Sequence, residues 1–86
     1  MAHTPAQIRA TLADLIGEET GIEPSQVELG SDFVADLGVD SLSMMTIIVN
    51  AEERFAVRIP NDMARSMRTV RDVVDYIAAQ QSPDTP

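Results

Sequence analysis

Apolar residues recur at helical spacing in three segments of the chain. The first repeats them at i, i+4, i+7 and i+8 and predicts a helix over about residues 4–19. The second predicts a helix over about residues 41–55, and the third predicts one over about residues 69–80. An extended stretch over residues 56–59 ends at a proline, which favours the first helical turn, so a short helix is predicted over about residues 60–65.

Capping residues bound the first and last of these helices. Thr4 stands three residues before Gln7, which is the spacing of a capping box, and Thr69 stands in the same relation to Asp72. Gly21 suits the left-handed position that follows the end of a helix. These signals support the predicted boundaries independently of the apolar spacing.

The segment from residue 21 to residue 40 has no helical period. A connection of this length in a compact domain is unusual and often functional. We expect it to pack across the helix ends, because it contains the apolar residues Ile22, Val27, Leu29, Phe33, Val34 and Leu37. Within it, Ser31 is predicted to cap a short helical turn that contains Phe33.

These elements predict an all-α fold, since no segment alternates apolar and polar residues as a strand does. The expected architecture is a small four-helix bundle, with three longer helices, one short helix and a long loop between helices one and two. A chain of 86 residues has room for one domain. We assign residues 1–80 to that domain and predict that residues 81–86 form a disordered tail.

The second helix carries more apolar surface than a core requires. One face holds Met44, Ile47, Ile48, Ala51 and Phe55. Leu42, Met45 and Val49 form a second stripe, displaced around the helix from the first. A surface helix of a monomer needs only one such stripe, so the second is predicted to face a neighbour or a partner.

Composition and charge exclude several kinds of chemistry. The chain has no Cys, which excludes disulfides and thiol chemistry, and its only His is His3, which argues against a Ser-His-Asp triad and a histidine metal site. Fourteen acids against six arginines give a net charge of −8, which disfavours nucleic acid and anionic membranes and favours basic proteins. With no membrane-spanning run and no signal peptide, we expect a soluble cytoplasmic monomer.

Three aspartates at four-residue spacing, Asp32, Asp36 and Asp40, invite comparison with a calcium-binding loop. Counted from the first of them, the sixth position of an EF-hand loop should be Gly and the twelfth Glu, but the chain has Leu37 and Ser43 there. We therefore predict no metal site. The aspartates are either a solvated surface or an acidic patch that attracts basic partners.

Ser41 is the residue with the most chemical interest. It lies where the long loop meets the second helix, at the positive end of the helix dipole, which is favourable for a phosphate. Either Ser41 or Asp40 can cap this helix. Ser41 is not predicted to be a catalytic nucleophile, because the chain offers no His or Lys base and no G-x-S-x-G turn. Another enzyme can still modify it.

Phe33 precedes the segment Asp36-Leu37-Gly38-Val39-Asp40-Ser41-Leu42 at the start of the second helix. This segment, with the Phe before it, resembles the phosphopantetheine attachment motif of acyl carrier proteins of the type II fatty-acid and polyketide kind. Residues 52–60 resemble the family's acidic, Phe and Ile-Pro segment, and residues 69–77 resemble its closing helix. Ser-Leu-Ser-Met after Asp40 is similar to carriers of actinobacterial systems. From Phe33 to Ile77, the alignment to the family pattern needs no gap.

The resemblance implies that Ser41 accepts 4′-phosphopantetheine from coenzyme A, in a reaction catalysed by a separate phosphopantetheinyl transferase with magnesium. The thiol of that arm would hold acyl groups as thioesters, and the bundle would open to shelter an acyl chain. The second helix would meet a ketosynthase, an acyltransferase and other synthase enzymes through basic docking patches on those enzymes. The implied contact residues are Asp36, Asp40, Leu42, Met45, Val49, Glu52 and Glu53.

Two positions depart from the family pattern, and two alternative functions remain open. Ser43 and Thr46 stand where the family often has acids, so docking there would depend more on apolar contact. A peptidyl or aminoacyl carrier would use the same serine, although such carriers tend toward G-G-x-S at this point. An acidic helical adaptor without a prosthetic group would use Ser41 only as a cap.

Overall fold

The computed structural model describes residues 3–81 and contains four α-helices in that range. They are α1 (Pro5–Thr20), α2 (Ser41–Phe55), α3 (Asn61–Ser66) and α4 (Val70–Gln80). The all-α prediction is confirmed, with three longer helices, one short helix and a long loop between α1 and α2. Every predicted helix boundary lies within one residue of the observed one.

The predicted caps form, and they fix the ends of α1 and α4. Thr4 Oγ1 accepts a hydrogen bond from Gln7 N at 3.1 Å, and Gln7 Oε1 accepts one from Thr4 N at 2.9 Å. Thr69 and Asp72 make the same reciprocal pair at α4. Gly21 ends α1 with a φ of 84°, a left-handed conformation that glycine adopts without strain. Local sequence therefore determines where these helices start and stop.

One apolar core joins α1, α2 and α4. The helices contribute Ile8, Leu12, Ala13, Leu15, Ile16, Ile47, Ile48, Ala51, Phe55, Val70, Val73, Val74 and Ile77 as buried side chains. All but one of the residues predicted for the core face of α2 are buried, and the exception, Met44, is half-buried. Full burial of an aliphatic side chain stabilises the fold by roughly 1.5–3 kcal/mol.

Within residues 3–81, no helix is both long enough and apolar enough to span a membrane.

The long loop packs on the core and is hydrogen-bonded to the start of α4. A 3₁₀ turn occupies Pro24–Gln26, and Val27, Phe33, Leu37 and Val39 are buried. Phe33 N donates to the carbonyl oxygen of Arg68 at 3.0 Å, and an isolated antiparallel bridge pairs Asp32 with Thr69. The expectation that this segment packs across helix ends is confirmed.

Two details of the loop differ from the prediction. Val34 is 72% exposed and does not join the core. The turn around Phe33 is capped by Asp32, whose Oδ1 accepts hydrogen bonds from the backbone N–H groups of Val34 and Ala35 at 2.9 and 2.8 Å. Ser31 instead accepts a hydrogen bond from Glu28 N, so its predicted capping role is wrong. A carboxylate one residue later is better placed to receive both donors.

The first and last described residues meet near the end of α2. Gln81 Nε2 donates to His3 O at 3.0 Å, and the His3 ring lies edge-on to Phe55 with 5.1 Å between centroids. Gln81 was predicted to begin the tail, and the remaining residues of that tail lie outside the described part of the chain. Ala56, predicted to be extended, adopts a left-handed conformation with a φ of 56° and ends α2.

Candidate functional site

The serine at the start of α2 is not the helix cap. Asp40 is the N-cap residue, and its Oδ1 accepts a hydrogen bond from Ser43 N at 2.8 Å. Ser41 is the first helical residue and is exposed, and among residues 3–81 its hydroxyl has no hydrogen-bond partner. The choice that the sequence left open between these two neighbours is therefore resolved in favour of Asp40, and the Ser41 hydroxyl is accessible to solvent.

The carboxylate of Asp40 is held in its charged form. Hydrogen bonds from the backbone N–H and then the side chain of Ser43 hold the pKa of Asp40 below its ordinary value of 3.8. Its negative charge complements the positive end of the α2 dipole. Ser41 is thus the first residue of α2, and it directly follows a carboxylate that is stabilised in its charged form.

Ser41 lines a large groove on the surface of the bundle. The groove is open, has a volume of about 1250 Å³, and lies between the start of α2, the turn at residues 32–35 and the junction of α3 with α4. Its apolar lining includes Phe33, Val39, Ile48, Ala64 and Met67. Ligand sites usually enclose about 300–1,000 Å³, so the groove offers room for an extended arm. An unbonded hydroxyl at such a groove fits covalent attachment of 4′-phosphopantetheine.

The second apolar stripe of α2 faces solvent. Leu42 is 77% exposed, Met45 47% and Val49 45%. Two further exposed apolar residues, Val34 and Met63, stand on neighbouring elements, and the periodicity of α2 alone did not indicate them. The predicted stripe therefore exists as an accessible surface beside Ser41.

The acids predicted for partner contact have different surroundings. Glu53 is exposed, and Asp36 is exposed while its Oδ2 accepts a hydrogen bond from Asp32 N at 2.7 Å. Glu52 is half-buried, and its Oε2 accepts a hydrogen bond from Ile59 N at 2.7 Å. The Glu52 carboxylate thus holds the chain that follows α2, which is a structural task that the sequence pattern did not show.

Sequence reasoning missed the far side of the groove. Arg65 in α3 and Arg68 after it both line the groove that Ser41 lines. The periodicity of α3 and α4 says nothing about this position, because it depends on how the helices pack. The clustering of arginines after residue 57 was the only available signal.

Metal-ligating side chains do not gather at this site. Over residues 3–81, no three His, Cys, Asp or Glu side chains converge in a way that would hold a metal ion.

Comparison with known proteins identifies the family. Residues 10–77 match the family model described as the phosphopantetheine attachment site. The chain is 53% identical over 76 residues to the acyl carrier protein of Renibacterium salmoninarum, covering 88% of this chain and 94% of that protein. The chain belongs to the acyl carrier protein family. It is also 44% identical over 82 residues to the acyl carrier protein of Tropheryma whipplei, covering 95% of this chain and all of that protein.

Membership of this family determines the general chemistry. Acyl carrier proteins are carriers rather than catalysts, and their prosthetic group is 4′-phosphopantetheine. They are modified by a phosphopantetheinyl transferase and work with synthase enzymes. A similar protein from Myxococcus xanthus, 46% identical over 71 residues that cover 83% of this chain and 90% of that protein, is also named acyl carrier protein.

Proposed function

We propose that Ser41 is the residue to which 4′-phosphopantetheine is attached. The observation that carries the proposal is its exposed hydroxyl, which has no hydrogen-bond partner within residues 3–81 because Asp40 caps α2. In the attachment, Ser41 Oγ forms a bond to the phosphorus next to the pantetheine of coenzyme A. The pyrophosphate bond breaks, adenosine bisphosphate leaves, and the serine proton passes to the transferase or to solvent. This chain supplies the nucleophile and the groove.

Intact mass spectrometry tests this assignment. The protein is incubated with coenzyme A, magnesium and a phosphopantetheinyl transferase, and the mass of the product is measured. Wild-type protein should gain one phosphopantetheine, Ser41→Ala should gain none, and Ser43→Ala should gain one. The last variant is a matched control, because Ser43 lies in the same first turn of α2. An adduct on Ser41→Ala, or none on wild type, would contradict the proposal.

We further propose that the loaded arm holds acyl groups as thioesters and presents them to fatty-acid or polyketide synthase enzymes. The support is that the relatives described above are named acyl carrier proteins. When bound, the prosthetic group supplies the thiol, while the chain supplies the tether point and the surface that enzymes bind. We place this activity in the cytoplasm and assign it to a monomer, whose core is closed by its own helices.

Loading assays distinguish acyl transfer from aminoacyl transfer. The holo protein should accept an acyl group from an acyltransferase with an acyl-coenzyme A donor. It should not accept an amino acid from an adenylating enzyme with ATP. Exclusive loading by the adenylating enzyme would identify a peptidyl carrier instead.

We also propose that partners dock beside Ser41 on α2. The support is the exposed stripe of Leu42, Met45 and Val49, flanked by acids at both ends of the helix. A contiguous apolar patch that remains exposed on a folded domain commonly marks an interaction site. Asp36, Asp40, Glu52 and Glu53 supply negative charge around the stripe and would face basic patches on a ketosynthase, an acyltransferase or the transferase.

A further inference from the structure

Two arginines lie on the groove that contains Ser41. Arg65 is in the last turn of α3, and Arg68 follows in the connection to α4. Both side chains are exposed, and both line the groove. In a chain with a net charge of −8, two cations on one groove are a local concentration of positive charge, beside the aspartates Asp32, Asp40 and Asp72 that also line it.

The acids of the same groove are already engaged with the backbone. The carboxylates of Asp32, Asp40 and Asp72 accept hydrogen bonds from backbone N–H groups, Asp32 and Asp40 from the turn or helix that they cap and Asp72 from the two residues before α4. A carboxylate that is bonded in this way has fewer acceptor sites left for a guanidinium. The negative groups of the groove therefore do not use the arginines as their principal partners.

The guanidinium groups are correspondingly available. Within residues 3–81, Arg65 makes no ion pair. Arg68 makes one, to Asp32, at 3.9 Å from Nε to Oδ2, with the arginine side chain 81% exposed. A surface ion pair at that distance contributes little to stability, and it leaves most of the N–H donors of the arginine free.

We propose that Arg65 and Arg68 bind the phosphodiester of the group carried on Ser41. A guanidinium presents parallel N–H donors that match the oxygens of a phosphate, and it remains charged at any pH at which the protein is folded. A phosphodiester on Ser41 would otherwise stand next to the Asp40 carboxylate with no compensating cation. The arginines offset that repulsion and hold the first part of the arm along the groove. The proposal rests on attachment at Ser41.

Phosphorus NMR of the loaded protein tests the contact directly. Wild type, Arg65→Gln, Arg68→Gln and the double variant are converted to the holo form, and the adduct is verified by intact mass. The control is Arg54→Gln/Arg58→Gln, which makes the same change in net charge with exposed arginines that do not line the groove. The phosphodiester resonance of the double variant should move toward that of free phosphopantetheine, and the control should match wild type.

The same samples separate a phosphate contact from a structural role. Arg65 lies at the carboxyl end of α3, where a cation also stabilises a helix. A purely structural role would lower the melting temperature of the apo and holo forms equally. The proposal expects loading to raise the melting temperature more in wild type than in the double variant, with the control behaving as wild type.

An unchanged phosphorus resonance in a double variant whose mass shows the adduct would overturn the proposal and leave attachment at Ser41 intact. If the amides at residues 64–69 of the apo protein also shift saturably with inorganic phosphate, the arginines bind free phosphate instead. A wild type that gains no adduct refutes the proposed attachment itself.

Discussion

At the start of α2, two adjacent residues perform different tasks. Asp40 accepts a hydrogen bond from the N–H group of Ser43 in the first helical turn, as the most favoured capping residues do. Ser41 is thereby released from capping, and its hydroxyl remains accessible. A serine that had to cap the helix would lose part of that stabilisation whenever its oxygen was modified. Modification at Ser41 leaves the cap intact.

This division predicts unequal effects of two alanine substitutions on stability. Ser41→Ala should change the free energy of unfolding by no more than about 0.5 kcal/mol, as exposed substitutions without a lost contact usually do. Asp40→Ala should lower it clearly, because the hydrogen bond to Ser43 N is lost. Urea denaturation of both apo variants measures the difference. A larger loss for Ser41→Ala would restore its interpretation as a cap, as the adaptor hypothesis requires.

A second prediction at residue scale concerns acid. Hydrogen bonds from the backbone N–H groups of Arg68 and then Thr69 hold the pKa of Asp72 below its ordinary value of 3.8. A carboxyl with a lowered pKa in the folded state stabilises the fold fully above its unfolded pKa. That stabilisation is lost as the pH falls through the lower, folded pKa. The difference in unfolding free energy between wild type and Asp72→Asn should thus be constant from pH 7 to about 5 and shrink below pH 4.

Urea titrations of both proteins at several pH values measure this difference. Comparison with the variant removes the effect of the other carboxyls, which titrate in both proteins. A difference that stays the same down to pH 2.5 would show that the charge of Asp72 contributes nothing, and that its side chain acts only through neutral hydrogen bonds.

At the scale of the element, α2 has two apolar surfaces with different environments. Ile47, Ile48, Ala51 and Phe55 are buried against α1 and the rest of the core. Leu42, Met45 and Val49 are exposed on the displaced stripe. The same kind of side chain therefore contributes to stability on one surface and is available for binding on the other.

Substitutions on the two surfaces should separate stability from binding. Met45→Ala should weaken binding to a ketosynthase at least fivefold, or roughly 1 kcal/mol, while changing stability by less than about 0.5 kcal/mol. Ile47→Ala should cost about 2–5 kcal/mol of stability, because it leaves a cavity in the core. Thr46→Ala, an exposed change on the polar side of the same helix, is the binding control.

Calorimetric titration and urea denaturation give the two readouts. Equal losses of affinity for Met45→Ala and Thr46→Ala would contradict docking through the apolar stripe.

The helices could be predicted from the sequence because their signals are local. Thr4 with Gln7, Thr69 with Asp72, and the apolar periods each act within a few residues. The groove could not be predicted, because its walls are brought together by contacts between distant segments, such as the bridge between Asp32 and Thr69. Ser41 was predicted from its motif, whereas Arg65 and Arg68 on the same groove belong to no motif.

At the scale of the whole molecule, negative charge is concentrated in the first half of the chain. Residues 1–40 contain eight acids and one arginine, whereas residues 41–86 contain six acids and five arginines. An excess of negative charge accelerates association with basic partners through electrostatic attraction. Salt screens this attraction, with a Debye length of about 8 Å at physiological ionic strength.

Association with a basic partner should consequently slow with added salt. We expect the association rate constant to fall roughly tenfold or more between low salt and about 0.5 M salt, with a much smaller change in the dissociation rate. Stopped-flow binding to the transferase measures both. An association rate constant that does not change with salt would assign recognition to the apolar stripe alone.

The hydrogen bonds between the long loop and α4 have a mechanical consequence. Phe33 N donates to Arg68 O, Val70 N donates to Ser31 O, and Arg71 N donates to Leu29 O. These bonds join two sides of the groove, the loop before α2 and the start of α4, into one rigid unit. We therefore expect that an acyl chain held in the groove would not part those two sides, because main-chain hydrogen bonds would break. It would instead displace α2 or the six-residue α3, so the resistance of these two helices to displacement would limit the size of the chain that the groove could hold.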